Sequence, residues 1–581
     1  MKKLCILSII FGIIVLNLWI FNGKARAADS SKSLDFVKFN SENQNAYNVT
    51  YDESGNIKGI SIADPDAFRA QRTSRGAVDA TAAAKDFLRK SSSLFDIDDV
   101  NNLKEEQVSK TANVTHVLFC HYINGKKVFD SQVSVHVNNN GQVVMVNNSV
   151  IPVKTSRSIE NSAITSDKAV EIAKANLKCA ELRGNVKTAE MIYSQNRSAL
   201  NVIKVEIPSK KPLGDFVYII SAVDGKIIDS FDIMFHALPK NHDSSNSSVK
   251  PAQAPSAAGN KIPLGAVYLS NPLKGGITNE ELVNLNDGKS LKGKWAEIIN
   301  EDAAPAASDA SNNFIFAKDD THFDEVNAYY HVNKVHDFYK SAFGFSALDR
   351  PMQTTVHYDD KYDNAFFSPL DGTLALGDGN KLNDLSKEES IIYHEYSHAV
   401  TNELVKMPYK GESGAMNEAF SDYFACTISD DPAVGEWAMA KINRPFIRNL
   451  ENKSHYPEDI QNEVHADSNI YGGALWELRK ALGAKVSDVI VHFSRNYMTG
   501  SACPDFKDGL KGLIAADCEY FRGIHSEQIK SIFAARGITE KSGPATAQQL
   551  DEKLKFDVMN GDKGSENTLN ELENSGLNNE Q

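Results

Sequence analysis

The chain has 581 residues, 41% of them hydrophobic and 24% charged, which is ordinary globular usage, excludes disorder throughout and allows several packed domains. The formal net charge of -14 removes the electrostatic driving term of nucleic-acid binding, so no nucleic-acid partner is expected. Six cysteines are too few for a disulfide scaffold; Cys503 and Cys518 are the pair that could bridge.

Residues 1–27 read as a signal peptide: Lys2 and Lys3, an apolar run over 4–21, then Ala25-Arg26-Ala27 at the cleavage positions. An uncleaved anchor is the alternative. The expected product is secreted and extracellular, without stable membrane contact once cut.

From 28 to 239 one organisation occurs twice. Residues 77–95 are an Ala-rich helix followed by alternating strands, with type I′ hairpin turns expected at Asn124-Gly125 and Asn140-Gly141. Residues 166–177 start a second helix-plus-hairpin unit that turns again at Asp224-Gly225. The division expected is 28–150 and 151–239. His116, His121 and His136 sit on strands without ligand spacing and are read as structural or surface residues. The stretch 240–262 is a Ser/Ala/Asn/Pro-rich linker, where maturation cleavage is expected, or shortly upstream.

Residues 263–405 form the next unit, with a helix over 324–343 and a strand over 354–358. His331 and His336, five apart, make no chelating pair. Then comes Ile391-Ile392-Tyr393-His394-Glu395-Tyr396-Ser397-His398-Ala399-Val400. Residues four apart on a helix share a face, so His394 and His398 can hold one ion while Glu395 stays free as a general base. A hydrolytic zinc needs a third protein ligand and an open position. A second helix, Gly414-Ala415-Met416-Asn417-Glu418-Ala419-Phe420-Ser421-Asp422, offers Glu418 for that ligand. Asp422, on the same face, would hydrogen-bond the far nitrogen of a ligand histidine. Ser413-Gly414 and the residues before them are expected to make the turn between the two helices. Residues 406–542 read as helical, and 543–581 as an acidic disordered tail.

HEYSH followed by GAMNEAFSD resembles the thermolysin-type zinc metalloendopeptidases, over about 313–538, and the region before Pro239 resembles their propeptide, its second module PepSY-like. The resemblance implies an α+β multidomain fold. Two small helix-plus-hairpin propeptide modules would precede a two-lobed catalytic domain, with a mixed β-rich N-lobe, an all-helical C-lobe and the zinc between them. It implies an endopeptidase made as an inactive proenzyme and acting on proteins and peptides through a zinc-activated water.

The residue roles follow from the same resemblance. Asn364 and Ala365 would hold the substrate backbone, in a segment where the family commonly has Trp at the position of Phe367. Arg448 would contact the residue just after the cut, and Tyr409 and His465 would stabilise the oxyanion. Asn417 would support His398 as Asp422 supports His394. Leu382, Ile391 and Ile447 would line an apolar pocket for a bulky residue after the cut. The family's paired calcium site draws on positions that are Ser390 and Ser429 here, so less calcium is expected, with Asp430, Asp431 and Glu436 left for one ion. The propeptide would serve as inhibitor and folding aid to a monomeric enzyme. The rival reading is a secreted binding protein that keeps the zinc fold without activity. A zinc hydrolase acting on something other than peptides is a third, disfavoured by the substrate-strand segment around Asn364.

Overall fold

The computed structural model describes residues 30–44, 46–52, 54–69, 78–153, 162–195, 197–239 and 262–540. The expected signal peptide, the linker up to residue 261 and the acidic tail lie outside the described residues.

The first module contains α1 (Ser30–Glu42), β1 (Tyr47–Tyr51), β2 (Ile57–Ile62), α2 (Ala80–Lys90), β3 (Leu103–Lys110), β4 (Val114–Ile123), β5 (Lys126–Asn138) and β6 (Val143–Asn148). The second has α3 (Ser166–Leu177), β7 (Glu181–Leu182), β8 (Lys187–Gln195), β9 (Ser198–Lys211), β10 (Gly214–Ser221) and β11 (Ile227–Asp232). Both helices open on a side-chain cap, Asp79 accepting from Ala82 N and Thr165 from Lys168 N. The two modules share one sheet. β5 pairs with β4 and β6, and its first residues also pair with β8 in parallel, Lys127 with Met191 and Val128 with Ile192.

The turn at Asn124-Gly125 has φ of 49° and 80° and so bears out the type I′ expectation. The one at Asn140-Gly141 does not. Only Gly141 is left-handed there (φ 86°), and the Asn138 side chain shapes the loop by accepting from Asn140 N and Gln142 N at 2.9 and 3.0 Å.

Past β12 (Phe235–His236) comes the N-lobe. It comprises β13 (Leu264–Tyr268), β14 (Ile277–Glu281), β15 (Ala296–Asn300), α4 (Thr321–Phe343), β16 (Met352–Val356), β17 (Ala365–Ser368) and β18 (Thr373–Leu376). Asp320 caps the start of α4 and Gly344, at φ 68°, ends it. The five-stranded sheet runs β12-β17-β18-β16-β15, so its edge strand comes from the segment that follows the second module.

Two helices follow, α5 (Glu389–Leu404) and α6 (Gly411–Ser429), both buried on nearly every side, polar residues as well as apolar ones. After α7 (Glu436–Ala440), the C-lobe stacks α8 (Val464–Leu482), α9 (Ala484–Ser494), α10 (Phe506–Phe521) and α11 (Ser526–Ala534). The turn between α5 and α6 is made by residues 405–410. Ser413 and Gly414 already lie inside α6, which corrects their expected place in the turn. Gly414 is needed for packing, because a Cβ there would come within 2.6 Å of Val464 and 3.0 Å of the Tyr409 backbone. Cys503 and Cys518 are both free thiols, so the possible bridge is not formed.

Candidate active site

His394 and His398, one turn apart on α5, turn their Nε2 atoms to within 3.0 Å of each other. Glu418 on α6 meets them: its Oε2 is 3.3 Å from His394 Nε2 and its Oε1 is 3.3 Å from His398 Nε2. All three side chains are fully buried. Of the far nitrogens, His398 Nδ1 lies 2.8 Å from Asn417 Oδ1 and His394 Nδ1 lies 2.9 Å from Asp422 Oδ1. With Nδ1 of each ring against an oxygen, that nitrogen keeps its hydrogen, and Nε2 is the atom that offers a lone pair inward whenever the ring is neutral. Two lone pairs and a carboxylate, facing one another out of water, are a donor set that fits a divalent cation with N and O ligands.

Electrostatics follow from burial. Burial disfavours charge on His394, but Asp422 and Glu418 outweigh it and lift its pKa to about 9. Burial would raise Asp422, yet Arg448 and His394 pull it down to about 2. Glu395 sits on the same helix beside the ligand pair, fully buried, with neither carboxylate oxygen hydrogen-bonded, and burial pushes it up to about 8.

The cleft beside these residues is filled by residues 235–238. β12 pairs antiparallel with β17, Phe235 opposite Phe367 and His236 opposite Phe366. Ala237 N–H donates to Ala365 O at 3.2 Å. Leu238 N–H donates to Asn364 Oδ1 at 3.0 Å, and Asn364 Nδ2 returns a bond to Leu238 O at 2.8 Å. Arg448 Nη1 donates to Ala237 O at 2.8 Å. His465 Nε2 donates to His236 O at 2.7 Å, with the Tyr409 hydroxyl 3.5 Å from the same oxygen. Tyr409 also donates to Glu418 Oε1. Asn364, Ala365, Arg448, His465 and Tyr409 therefore all lie against the backbone of this segment. Leu382 and Ile391 are buried and Ile447 is partly buried.

One contributor escaped the sequence reading. Glu463 holds His465 Nδ1 at 2.6 Å while capping α8 by accepting from Ala466 N at 2.9 Å. An acidic residue at the helix start, two before the histidine, is the signal that could have found it. At the expected calcium position Lys274 brings an ammonium between Asp431, at 2.7 Å, and Glu436, while Asp430 turns to Arg479 at 3.3 Å. Ser390 bonds Glu388 Oε1 at 3.0 Å and accepts from Gly435 N at 3.0 Å.

Comparison with known proteins agrees with this geometry. Residues 266–402 match the family model described as thermolysin metallopeptidase, catalytic domain, and 405–538 the one described as thermolysin metallopeptidase, alpha-helical domain. Residues 101–150 match the fungalysin/thermolysin propeptide motif. Bacillolysin of Bacillus subtilis is 24% identical over 494 residues, covering 78% of this chain and 89% of its own. Extracellular elastase of Staphylococcus epidermidis is 24% identical over 455 residues, covering 72% and 84%. The solved precursor of protealysin, a metalloproteinase from Serratia proteamaculans, is 20% identical with a TM-score of 0.37, covering 44% of this chain and 92% of its own.

Proposed function

The chain belongs to the thermolysin family of zinc metalloendopeptidases and carries its own propeptide, and from that we propose that the first bond it cuts is its own His236–Ala237. One observation carries the reading: residues 235–238 lie in the cleft in the hydrogen-bonded manner of a substrate. The carbonyl at the oxyanion position belongs to His236, and the arginine-bound carbonyl to Ala237.

His394, His398 and Glu418 would hold the zinc, which when bound supplies Lewis-acid polarisation of the carbonyl and of the attacking water. Asp422 and Asn417 fix the two rings so that both Nε2 atoms face inward. Glu395 takes a proton from the water as its oxygen adds to the His236 carbonyl carbon. His465 and Tyr409 stabilise the charge that develops on that carbonyl oxygen. Glu395 then passes the proton to Ala237 N as the C–N bond breaks, leaving a His236 carboxylic acid and an Ala237 amine, which settle as a carboxylate and an ammonium when the acid gives up the water's second proton. Asn364 and Ala365 align an extended chain by adding it to the sheet edge.

The same cleft then takes protein and peptide substrates, with Leu382, Ile391 and Ile447 favouring a bulky apolar residue after the cut. Burying a Leu or Phe there is worth about 2 kcal/mol over leaving it exposed. The chain's own junction offers only Ala237, so the pro-region is held by its backbone bonds and inhibits until it is cut. A secreted enzyme fits the reading of residues 1–27, and one of the relatives is an extracellular elastase. Nothing in the site favours the inactive binding protein.

N-terminal sequencing of the active product tests the proposal. A start at Ala237 supports it, and a start at Ala28 in a fully active form sinks it. A start inside 241–261 would move the processed bond but leave the endopeptidase reading standing.

A further inference from the structure

Away from the cleft, the pro-region meets the C-lobe along a second seam, and this one is polar. Asn147 on β6 donates from Nδ2 to the carbonyls of Tyr497 and Thr499 at 2.7 and 2.8 Å. Ser134 on β5 donates to Thr499 O at 2.5 Å, and Ser149 to Gly500 O at 2.9 Å. The backbones come so close at Gly500 (φ 84°) that a Cβ there would lie 2.4 Å from Ser134 N.

Two histidines occupy the middle of this seam. His116 on β4 and His136 on β5 face each other across the strand pair, Nδ1 to Nδ1 at 2.7 Å. Both rings pack on Tyr497, with centroid separations of 4.9 and 5.3 Å, and they are 2% and 0% exposed. Their protons can be placed. Because the Ser134 hydroxyl hydrogen is given to Thr499 O, its oxygen accepts from His136 Nε2 at 3.0 Å. His136 Nδ1 is therefore bare, and His116 donates to it. On the far side of His116, Thr111 Oγ1 lies 3.0 Å from Nε2 and 2.7 Å from Glu519 Oε1, and Tyr497 donates to Glu519 Oε2 at 2.8 Å. The other charges near the seam answer one another: Lys58 on β2 pairs with Asp505 and Asp508 at 2.8 and 2.6 Å, and Lys511 with Asp508 at 3.3 Å.

A proton added to His136 Nδ1 would set two N–H groups head to head at a distance that now suits one shared hydrogen. We propose that this seam is a proton-sensitive clasp, which holds the pro-region on the C-lobe while the His116–His136 pair shares its hydrogen and loosens as the rings take up protons. The inference rests on the reading of residues 28–239 as the pro-region, but its test is blind to catalysis.

The sign follows from burial. Burial lowers His116 to about 3 and holds His136 well below its usual value, the charge of His116 adding to the effect. Released rings titrate near 6.5. The hold is thus complete above that pH and is lost as pH falls below it. Each ring that must stay neutral weakens the closed state about tenfold between pH 7.5 and 5.5. Glu519 works the other way, since burial raises its pKa and the closed seam favours its protonated form.

The test is amide hydrogen exchange on the full chain carrying Glu395→Gln, so that it stays uncut, at pH 7.5 and 5.5 after correction for intrinsic rates. Opening of residues 114–117, 134–137 and 497–501 is expected to rise about tenfold or more at the lower pH, with the paired amides of β9 and β10 unchanged. Adding His136→Gln should cut the response about tenfold, to the part His116 carries alone, and adding Glu519→Gln should steepen it. No acid response, or an equal one with His136→Gln, overturns the proposal. If that variant does not fold, histidine-ring NMR of the uncut chain decides. Rings that stay neutral until the seam amides open support the clasp, and rings that titrate near pH 6.5 behind protected amides overturn it.

Discussion

Arg448 is gripped by Asp422 through both carboxylate oxygens, Nε at 2.6 Å and Nη2 at 2.8 Å, leaving Nη1 to donate to the Ala237 carbonyl. Asp422 also holds His394, so one buried carboxylate ties the metal-facing ring to the group that grips the chain in the cleft. Arg448→Lys cannot reproduce this fork. Losing a charge-assisted hydrogen bond costs about 1.5–3 kcal/mol, a fall in kcat/KM of about tenfold to a hundredfold. Peptide hydrolysis by the processed enzyme measures it, and an unchanged kcat/KM would remove Arg448 from the substrate site.

Metal binding and proton transfer should separate by mutation. Glu418→Ala is expected to lose zinc in metal analysis of the folded protein. Glu395→Gln should keep zinc while activity falls about a hundredfold to ten-thousandfold. Normal peptidase activity in a folded, zinc-loaded Glu395→Gln would overturn the mechanism.

Lys274 makes a prediction about calcium. Its ammonium already bridges Asp431 and Glu436, so the melting temperature of the parent should barely respond to calcium. Lys274→Met leaves two carboxylates facing each other and removes a partly exposed ion pair worth about 1 kcal/mol. The melting temperature should drop by about 2–4 °C, and added calcium should restore part of it. A large calcium response in the parent would count against this.

His357 gives a pH signature. Burial works against its charge, but Asp378, at 2.7 Å from Nδ1, and Asp324 prevail and lift its pKa to about 10. Its unfolded value is near 6.5. The stability from this pairing is therefore full below about pH 6.5 and is lost as pH rises through about 10. The gap in melting temperature between the parent and Asp378→Asn should be constant at low pH and close towards pH 10. A gap that widens with pH would contradict the assignment.

The metal-facing set was legible because it obeys a local rule. His394 with His398, and Glu418 with Asp422, are each one helical turn apart, and apolar neighbours mark both helices as buried. What could not be read is what meets across sequence distance. Nothing local in Phe235-His236-Ala237-Leu238 announces that it joins the edge of β17. Two residues have no periodicity, and the bonds that place them come from Asn364, Arg448 and His465. The same blindness hid the shared sheet of the two modules and put His116 and His136 down as ordinary strand residues. Asn140-Gly141 failed for another reason: the side chain of Asn138 outcompetes the dipeptide's own turn preference.

Strand β5 carries a consequence for anyone dividing the pro-region. It is hydrogen-bonded to β4 and β6, and at its start to β8, so the boundary between the two modules runs through a ladder and not through a hinge. A fragment ending before Lys187 would leave Lys127 and Val128 without their β8 partners, and one beginning there would bare β8. Each half made alone should stick to its neighbours in solution, and mixing the two during refolding should suppress that.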